Sequence, residues 1–263
     1  MIRKLTELDR RAVLALAGEE PSYNLFIIGD VENFGFDADF QELWGEFGER
    51  GRLKAVLLRY YGSYLPYAAG EFDVAGFAER IREGPGAEMV SGPSHVAERF
   101  RSEFAFRREK QMYFAERPAS CEAPLPDAPE ENVRVASAGD IEAVCALLDG
   151  IAEFDSNGSA RRDSMRLAIE SGTGRTYFVE RDGRVVATAS TSAENSMSAM
   201  VVGVATHPDY RGQGLATRVT SKLCADAAAE GRTLCLFYDN PDAGSIYKRI
   251  GFRDIGRWSI LYF

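Results

Sequence analysis

Four prolines fall within the fourteen residues Pro118–Glu131 (PASCEAPLPDAPEE), close to the middle of a 263-residue chain. Proline fixes φ and removes a backbone donor, so this segment sustains neither a helix nor a sheet ladder and reads as an extended linker, 118–131. It divides the chain into two parts of similar size, 1–117 and 132–263, each long enough for one compact domain. The 45% hydrophobic and 27% charged residues suit a soluble globular protein that buries a core without disulfides or a structural metal.

After the linker, strand and helix signals alternate. Residues 132–136 alternate apolar and polar as a strand does. Ser137 caps a helix whose apolar positions Val144, Leu147 and Leu148 recur at three and four residues. A second helical region falls within 151–172. Strands are predicted over 175–180 and 184–190, joined by a hairpin turn at Asp182-Gly183, and a long strand runs through 199–206. A helix follows in which Leu215, Val219, Leu223 and Ala227 share one face, with Gly231 as its stop. Residues 233–238 form an apolar run suited to a buried strand. Asn240-Pro241 opens a last helix that ends at Gly251, and a strand or two occupies 253–263. The first half echoes this order faintly. Strands are expected at 2–5, 53–59, 64–69, 87–91 and 111–116, helices at 9–16 and 74–82, and a buried element at 24–30.

Several functions are excluded early. A net charge of −9 is unsuited to neutralising phosphates along nucleic acid. The four cysteines (Cys121, Cys145, Cys224 and Cys235) form no CxxC pair and the only histidines are His95 and His207, so no metal site is expected and the thiols read as reduced, mostly core residues. Met1–Arg10 is charged and has no apolar h-region, and no apolar stretch is long enough for a bilayer, so a cytoplasmic protein with no membrane partner is the expectation.

The chemistry concentrates in the strand–loop–helix segment around 204–217. The first turn of a helix presents backbone N–H groups with no intrahelical partner, and its dipole favours an anion. Gly212 and Gly214 let a phosphate approach the backbone, and Arg211 adds a fixed charge with a fork of donors. Arg211-Gly212-Gln213-Gly214-Leu215-Ala216 is therefore a candidate pyrophosphate cradle. By itself, Arg-x-x-Gly-x-Ala is a short pattern, and the glycines could equally shape a plain turn.

The run Val204-Ala205-Thr206-His207-Pro208-Asp209-Tyr210-Arg211-Gly212-Gln213-Gly214-Leu215-Ala216 resembles the acetyl-CoA signature of the GCN5-related N-acetyltransferases (GNAT superfamily). A second block, Asn240, Ala243, Tyr247 and Ile250-Gly251-Phe252, resembles that family's N-x-x-A-x-x-x-Y-x-x-x-G-F helix. The resemblance covers 132–263 well and 1–117 in outline. It implies an α/β fold of two acetyltransferase-like domains in tandem, each a mixed, mostly antiparallel twisted sheet flanked by helices. The first, 1–117, would be degenerate and the second, 132–263, catalytic.

The resemblance also implies roles for single residues. Val204, Ala205 and Thr206 line the pantetheine arm at a bulge eased by Gly203, and a backbone N–H there faces the thioester oxygen. Arg211 to Thr217 hold the pyrophosphate. Asn240 caps its helix and contacts pantetheine. Tyr247 is the acid that protonates the departing thiolate. The resemblance names no base; Glu194, in the loop before the long strand, reads as a base or substrate contact or as a solvated loop carboxylate, with Glu153 and Asp155 as further candidates. The strand before Asn240 lacks the glutamate carried by relatives that acetylate protein N-termini. Cys235 reads as a core thiol. In the first half the matching place is Met89–Ser94, where Pro93 removes a donor. The expected activity is transfer of an acetyl group from acetyl-CoA, without a metal, to a small-molecule or peptide amine. The alternatives are a non-catalytic acyl-CoA sensor or an acyltransferase using another donor.

Overall fold

The computed structural model describes residues 1–125, 133–152, 154 and 158–263. The distal linker, 126–131, the strand start expected at Asn132, and the candidates Glu153 and Asp155 lie outside these residues.

The same order of elements occurs twice. The first series is β1 (Ile2–Lys4), α1 (Arg10–Ala17), α2 (Leu25–Phe34), β2 (Gln41–Phe47), β3 (Leu53–Tyr60), β4 (Ser63–Ala68), α3 (Val74–Glu83), β5 (Met89–Pro93), α4 (Ser94–Ala97) and β6 (Arg108–Arg117). The second is β7 (Val133–Val135), α5 (Ile141–Asp149), α6 (Gly158–Ser171), β8 (Thr176–Arg181), β9 (Arg184–Ser192), β10 (Ser198–Thr206), α7 (Leu215–Ala229), β11 (Thr233–Tyr238), α8 (Pro241–Arg249) and β12 (Arg253–Tyr262).

The contacts divide the chain into two compact units, one of Met1–Phe114, Phe237–Asp239 and Asp254–Phe263, the other of Ala115–Leu236 and Asn240–Arg253. The contiguous division read from the linker, 1–117 and 132–263, differs from this chiefly at the C-terminus, where β12 is a strand of the first unit. It pairs antiparallel with β5 from Trp258↔Pro93 to Tyr262↔Met89. Trp258 and Leu261 are fully buried there, and the Trp258 indole N–H donates to Ser91 Oγ at 2.9 Å. Tyr23 Oη donates to the carbonyl of Ile255.

In the first unit the strand order is β1-β2-β3-β4-β5-β12-β6. The β1–β2, β2–β3, β3–β4 and β5–β12 pairs are antiparallel, and β4–β5 is parallel. β3 is apolar along most of its length because both of its faces are covered. Val56 and Leu58 pack with α1 and α2 residues such as Val13, Leu16 and Ile28. Ala55 and Leu57 face the other way, toward Phe77 and Ile81 of α3. The apolar run at 24–30 is the helix α2, with Leu25, Ile27, Ile28 and Val31 buried.

The second unit carries the order β11-β10-β9-β8-β7, antiparallel except for β10–β11. The β8–β9 hairpin turns at Asp182 (φ 51°) and Gly183 (φ 73°), the two left-handed residues that a type I′ turn demands. Phe178 packs with Val144, Leu147 and Leu148 of α5. Its neighbour Tyr177 points the opposite way and donates to Asp226 Oδ2 of α7 at 2.8 Å. α5 and α7 therefore cover opposite faces of this sheet.

Because β12 completes the first unit, Trp258→Ala is expected to cost about 3–5 kcal/mol. Ser91→Ala, which removes only the indole's partner, is expected to cost about 1 kcal/mol. Urea unfolding followed by far-UV circular dichroism reads both, and equal small losses would contradict the placement of β12.

Candidate functional site

The candidate site grows from an irregularity in β10. Its antiparallel register with β9 runs Met200↔Ser192, Val201↔Thr191, Val202↔Ser190, then resumes at Ala205↔Thr188. One extra residue is therefore inserted in β10 between Val202 and Ala205, a β-bulge. Gly203 takes φ 61°, a left-handed value that a side chain resists, with no atom closer than 3.7 Å to where a Cβ would stand. On the other edge, the parallel pairing with β11 covers only Ser198↔Thr233, Ala199↔Leu234 and Met200↔Cys235. From Val201 onward β10 runs without a β11 register partner. Val202 is 40% exposed and Gly203, Val204 and Thr206 are half-buried. The Thr206 hydroxyl is buried and has no hydrogen-bond partner among the described residues.

The chain then passes through a short turn, Pro208–Tyr210, in which His207 Nδ1 accepts from the Asp209 N–H at 3.3 Å. Arg211 Nε donates to the Thr206 carbonyl at 3.4 Å, tying the loop to the end of β10. Gly212 and Gly214 hold φ of 75° and 74°, and neither would bring a Cβ within 4 Å of another atom. The glycines are needed for backbone conformation, and the space beside them is open. Gln213 Oε1 accepts from Arg181 Nη1 at 2.8 Å. Gly214 is the N-cap of α7 and offers no side-chain acceptor, and the first turn of α7 carries no acidic residue. Arg211, Gly212, Gln213 and Gly214 are exposed, Leu215 is buried as the helix's first core contact, and Ala216 and Thr217 are half-buried. This fifteen-residue helix thus presents its first N–H groups, and the positive end of its dipole, without a capping side chain.

α8 contributes two residues of the second motif. Asn240 caps it, its Oδ1 accepting from the Asp242 N–H at 2.9 Å. Tyr247 is half-buried, with its ring edge-on to Phe252 at 6.0 Å. Burial pushes the Tyr247 phenol above its ordinary pKa, favouring the protonated form. The helix ends at Gly251, which has φ 94° and so little room that a Cβ would stand 2.8 Å from Cys121 Sγ. Arg117 Nε, donating at 2.8 Å to the Ile250 carbonyl, backs the same turn.

Glu194, read from the sequence as a candidate base, stands elsewhere. Its side chain is 4% exposed. It accepts from Arg175 at 2.9 and 2.7 Å, and also from Arg232 and from Thr191 Oγ1. Arg175 in turn holds Glu230 at 2.6 Å. A carboxylate so occupied anchors the start of β8 and the loop before β10. Cys235 is fully buried in β11.

The element order moves the counterpart of this loop in the first unit. The segment between β4 and α3 is Ala69–Asp73, not Met89–Ser94, which is β5 and the start of α4. There Asp73 caps α3, its carboxylate accepting from the Gly76 N–H at 2.9 Å. The β3–β4 register is regular from Ala55↔Ala68 to Tyr60↔Ser63, without a bulge. An acid thus caps the helix N-terminus at the place where the second unit has no capping side chain. Among the described residues no group of three or more His, Cys, Asp or Glu is placed to hold a metal ion, and no helix is long and apolar enough to cross a membrane.

Residues 170–261, which contain β10, the loop, α7 and α8, match the GNAT acetyltransferase family model. The sequence likeness to this family lies in that segment, which is about a third of the chain. A tandem GNAT protein from the clavulanic acid biosynthesis pathway aligns over 100% of this chain and 98% of its own, with TM-score 0.64 and 14% identity. A Drosophila protein aligns over 99% and 98% with TM-score 0.72 and 12% identity. A GCN5-related N-acetyltransferase from Kribbella flavida aligns over 80% and 86% with TM-score 0.60 and 20% identity. At these identities the likeness is one of fold. No curated protein matches the sequence.

Glu194→Ala is expected to lower stability by about 3 kcal/mol, because it leaves Arg175 and Arg232 without their shared partner. Urea unfolding checks this. Unchanged stability with lost turnover would return Glu194 to the reaction.

Proposed function

We propose that the second unit binds acetyl-CoA and transfers its acetyl group to a primary amine by direct attack. The observation that carries this reading is the conjunction, on consecutive elements, of a bulged strand that has left its β11 register and an uncapped helix N-terminus opened by two left-handed glycines. Phosphates would lie against the N–H groups of Gly212 to Thr217, with Arg211 supplying charge. The pantetheine arm, an alternation of amides and methylenes, would lie along Val204 to Thr206, whose outward backbone groups supply the hydrogen bonds a strand partner would otherwise make. The buried Thr206 hydroxyl and Asn240 would serve the same arm.

In the reaction the unprotonated amine nitrogen attacks the thioester carbonyl. The C–N bond forms, the C–S bond breaks, and the sulfur leaves as a thiolate that takes the Tyr247 phenolic proton, while the proton that the nitrogen sheds on becoming an amide passes through solvent and restores the phenol. The upward push on the Tyr247 pKa keeps that proton in place through the neutral range. A backbone N–H at the bulge would stabilise the charge developing on the carbonyl oxygen. The first unit, with Asp73 already on the N-terminus of α3, would bind no cofactor of its own.

Two substitutions test the two halves of the reading. Tyr247→Phe should lower kcat by roughly 100-fold or more, measured by thiol release, with CoA affinity held within about twofold. Gly214→Val should weaken CoA binding at least tenfold by calorimetry, equivalent to about 1.4 kcal/mol. Turnover unchanged in the first would remove Tyr247 as the acid. Affinity unchanged in the second would move the phosphate site away from α7.

A further inference from the structure

A cavity of about 240 Å3 opens beside the bulge. Val202 and Gly203 form one wall, so the cavity begins at the strand segment where, on the proposed function, the reacting carbonyl sits. The apolar lining is Leu148, Phe154, Met165, Ala168, Ile169 and Val202. The charged groups that touch it are already engaged. Arg161 is paired with Asp149, and Arg175 with Glu194 and Glu230. Of the hydroxyls, Thr176 Oγ1 and Ser190 Oγ bond each other at 2.8 Å, and Thr191 Oγ1 serves the Arg175 N–H and Glu194.

Size and chemistry together restrict what can fill this space. At roughly 30 Å3 per water-sized group, 240 Å3 holds about eight such groups. An acetyl group offers two carbons. A polyamine, a sugar or a carboxylate would give up its hydration for a lining whose charged groups are already paired and in which only the hydroxyls of Ser164 and Ser192 are left to meet it. A hydrocarbon body would lose nothing and would gain contact with six apolar side chains.

We infer that this cavity receives an uncharged, apolar substrate body of about six to eight carbons attached directly to the reacting centre. Such a body has two chemical sources at a transfer site: the alkyl or aryl part of the accepting amine, or an acyl chain longer than acetyl on the CoA donor. The inference rests on the proposed function for the place of reaction, and on the cavity alone for the chemistry.

The test uses the full chain, with thiol release and calorimetry. One arm varies the amine from methylamine to octylamine with acetyl-CoA. The other varies the donor from acetyl-CoA to octanoyl-CoA with methylamine. The arm whose body enters the cavity should gain in kcat/KM by roughly fourfold per methylene up to about six carbons, and that arm identifies the source. Ala168→Phe, which fills the cavity, should flatten the rising series while leaving acetyl-CoA affinity within twofold, and Ala168→Leu should flatten it partly if the larger residue impairs folding. A flat response in both arms, or a gain that survives both substitutions, overturns the inference. If no CoA ester binds, the proposed function fails instead. The cavity is then read by calorimetric binding of hexylamine and hexanoate amide: binding lost in Ala168→Phe supports it, and binding absent or insensitive overturns it.

Discussion

One extra residue in β10 governs what the second unit can do. With Gly203 in a left-handed conformation, the strand stays paired with β9 on both sides of the bulge, its register shifted by one residue across it. On the opposite edge its pairing with β11 has already stopped at Met200↔Cys235. Unpaired backbone groups are costly unless water or a ligand satisfies them, so this stretch is suited to a partner that brings its own donors and acceptors. The same strand delivers the chain into the glycine loop and α7, where the second set of unsatisfied donors lies. The two features share one strand, and deleting the extra residue would shift the register by one and turn over the strand's two faces between the bulge and the loop.

The first unit shows what the same order of elements does without these features. Its β4 runs in regular register with β3, and Asp73 places a carboxylate on the first turn of α3. Both helices follow a strand in the same place. One ends its preceding loop in glycine and leaves its donors open; the other ends it in aspartate and closes them. A fixed negative charge at that point repels a phosphate, whereas an open N-terminus attracts one.

Much of this was legible in the sequence because the deciding residues act locally. Gly212, Gly214 and Gly183 are required by their own φ values, and Asn240 and Ser137 cap the turns that follow them. The bulge too had a local mark, since Gly203 interrupts an apolar strand. What escaped depends on distant partners. Glu194 looks like any loop carboxylate until Arg175 and Arg232, 19 and 38 positions away, close on it. β2 carries Glu42 and Glu46 amid its apolar positions, and both acids are paired with basic residues of neighbouring strands, Lys4 and Lys54. The place of β12 in the first unit follows from Trp258 and Leu261 finding β5, which no periodicity in 253–263 announces. The cavity at Ala168 likewise needs α5, α6 and three strands to be assembled before it exists.

The central claim is that the bulge and the loop form one binding surface for a CoA thioester. Amide resonances of the labelled protein titrated with CoA test it most directly. The account predicts that the N–H signals of Gly203 to Thr206 and of Gly212 to Thr217 shift together along one saturation curve, while those of Asp73 to Gly76 in the first unit stay in place. Shifts confined to the first unit, or loop signals that move while the bulge stays silent, would contradict it.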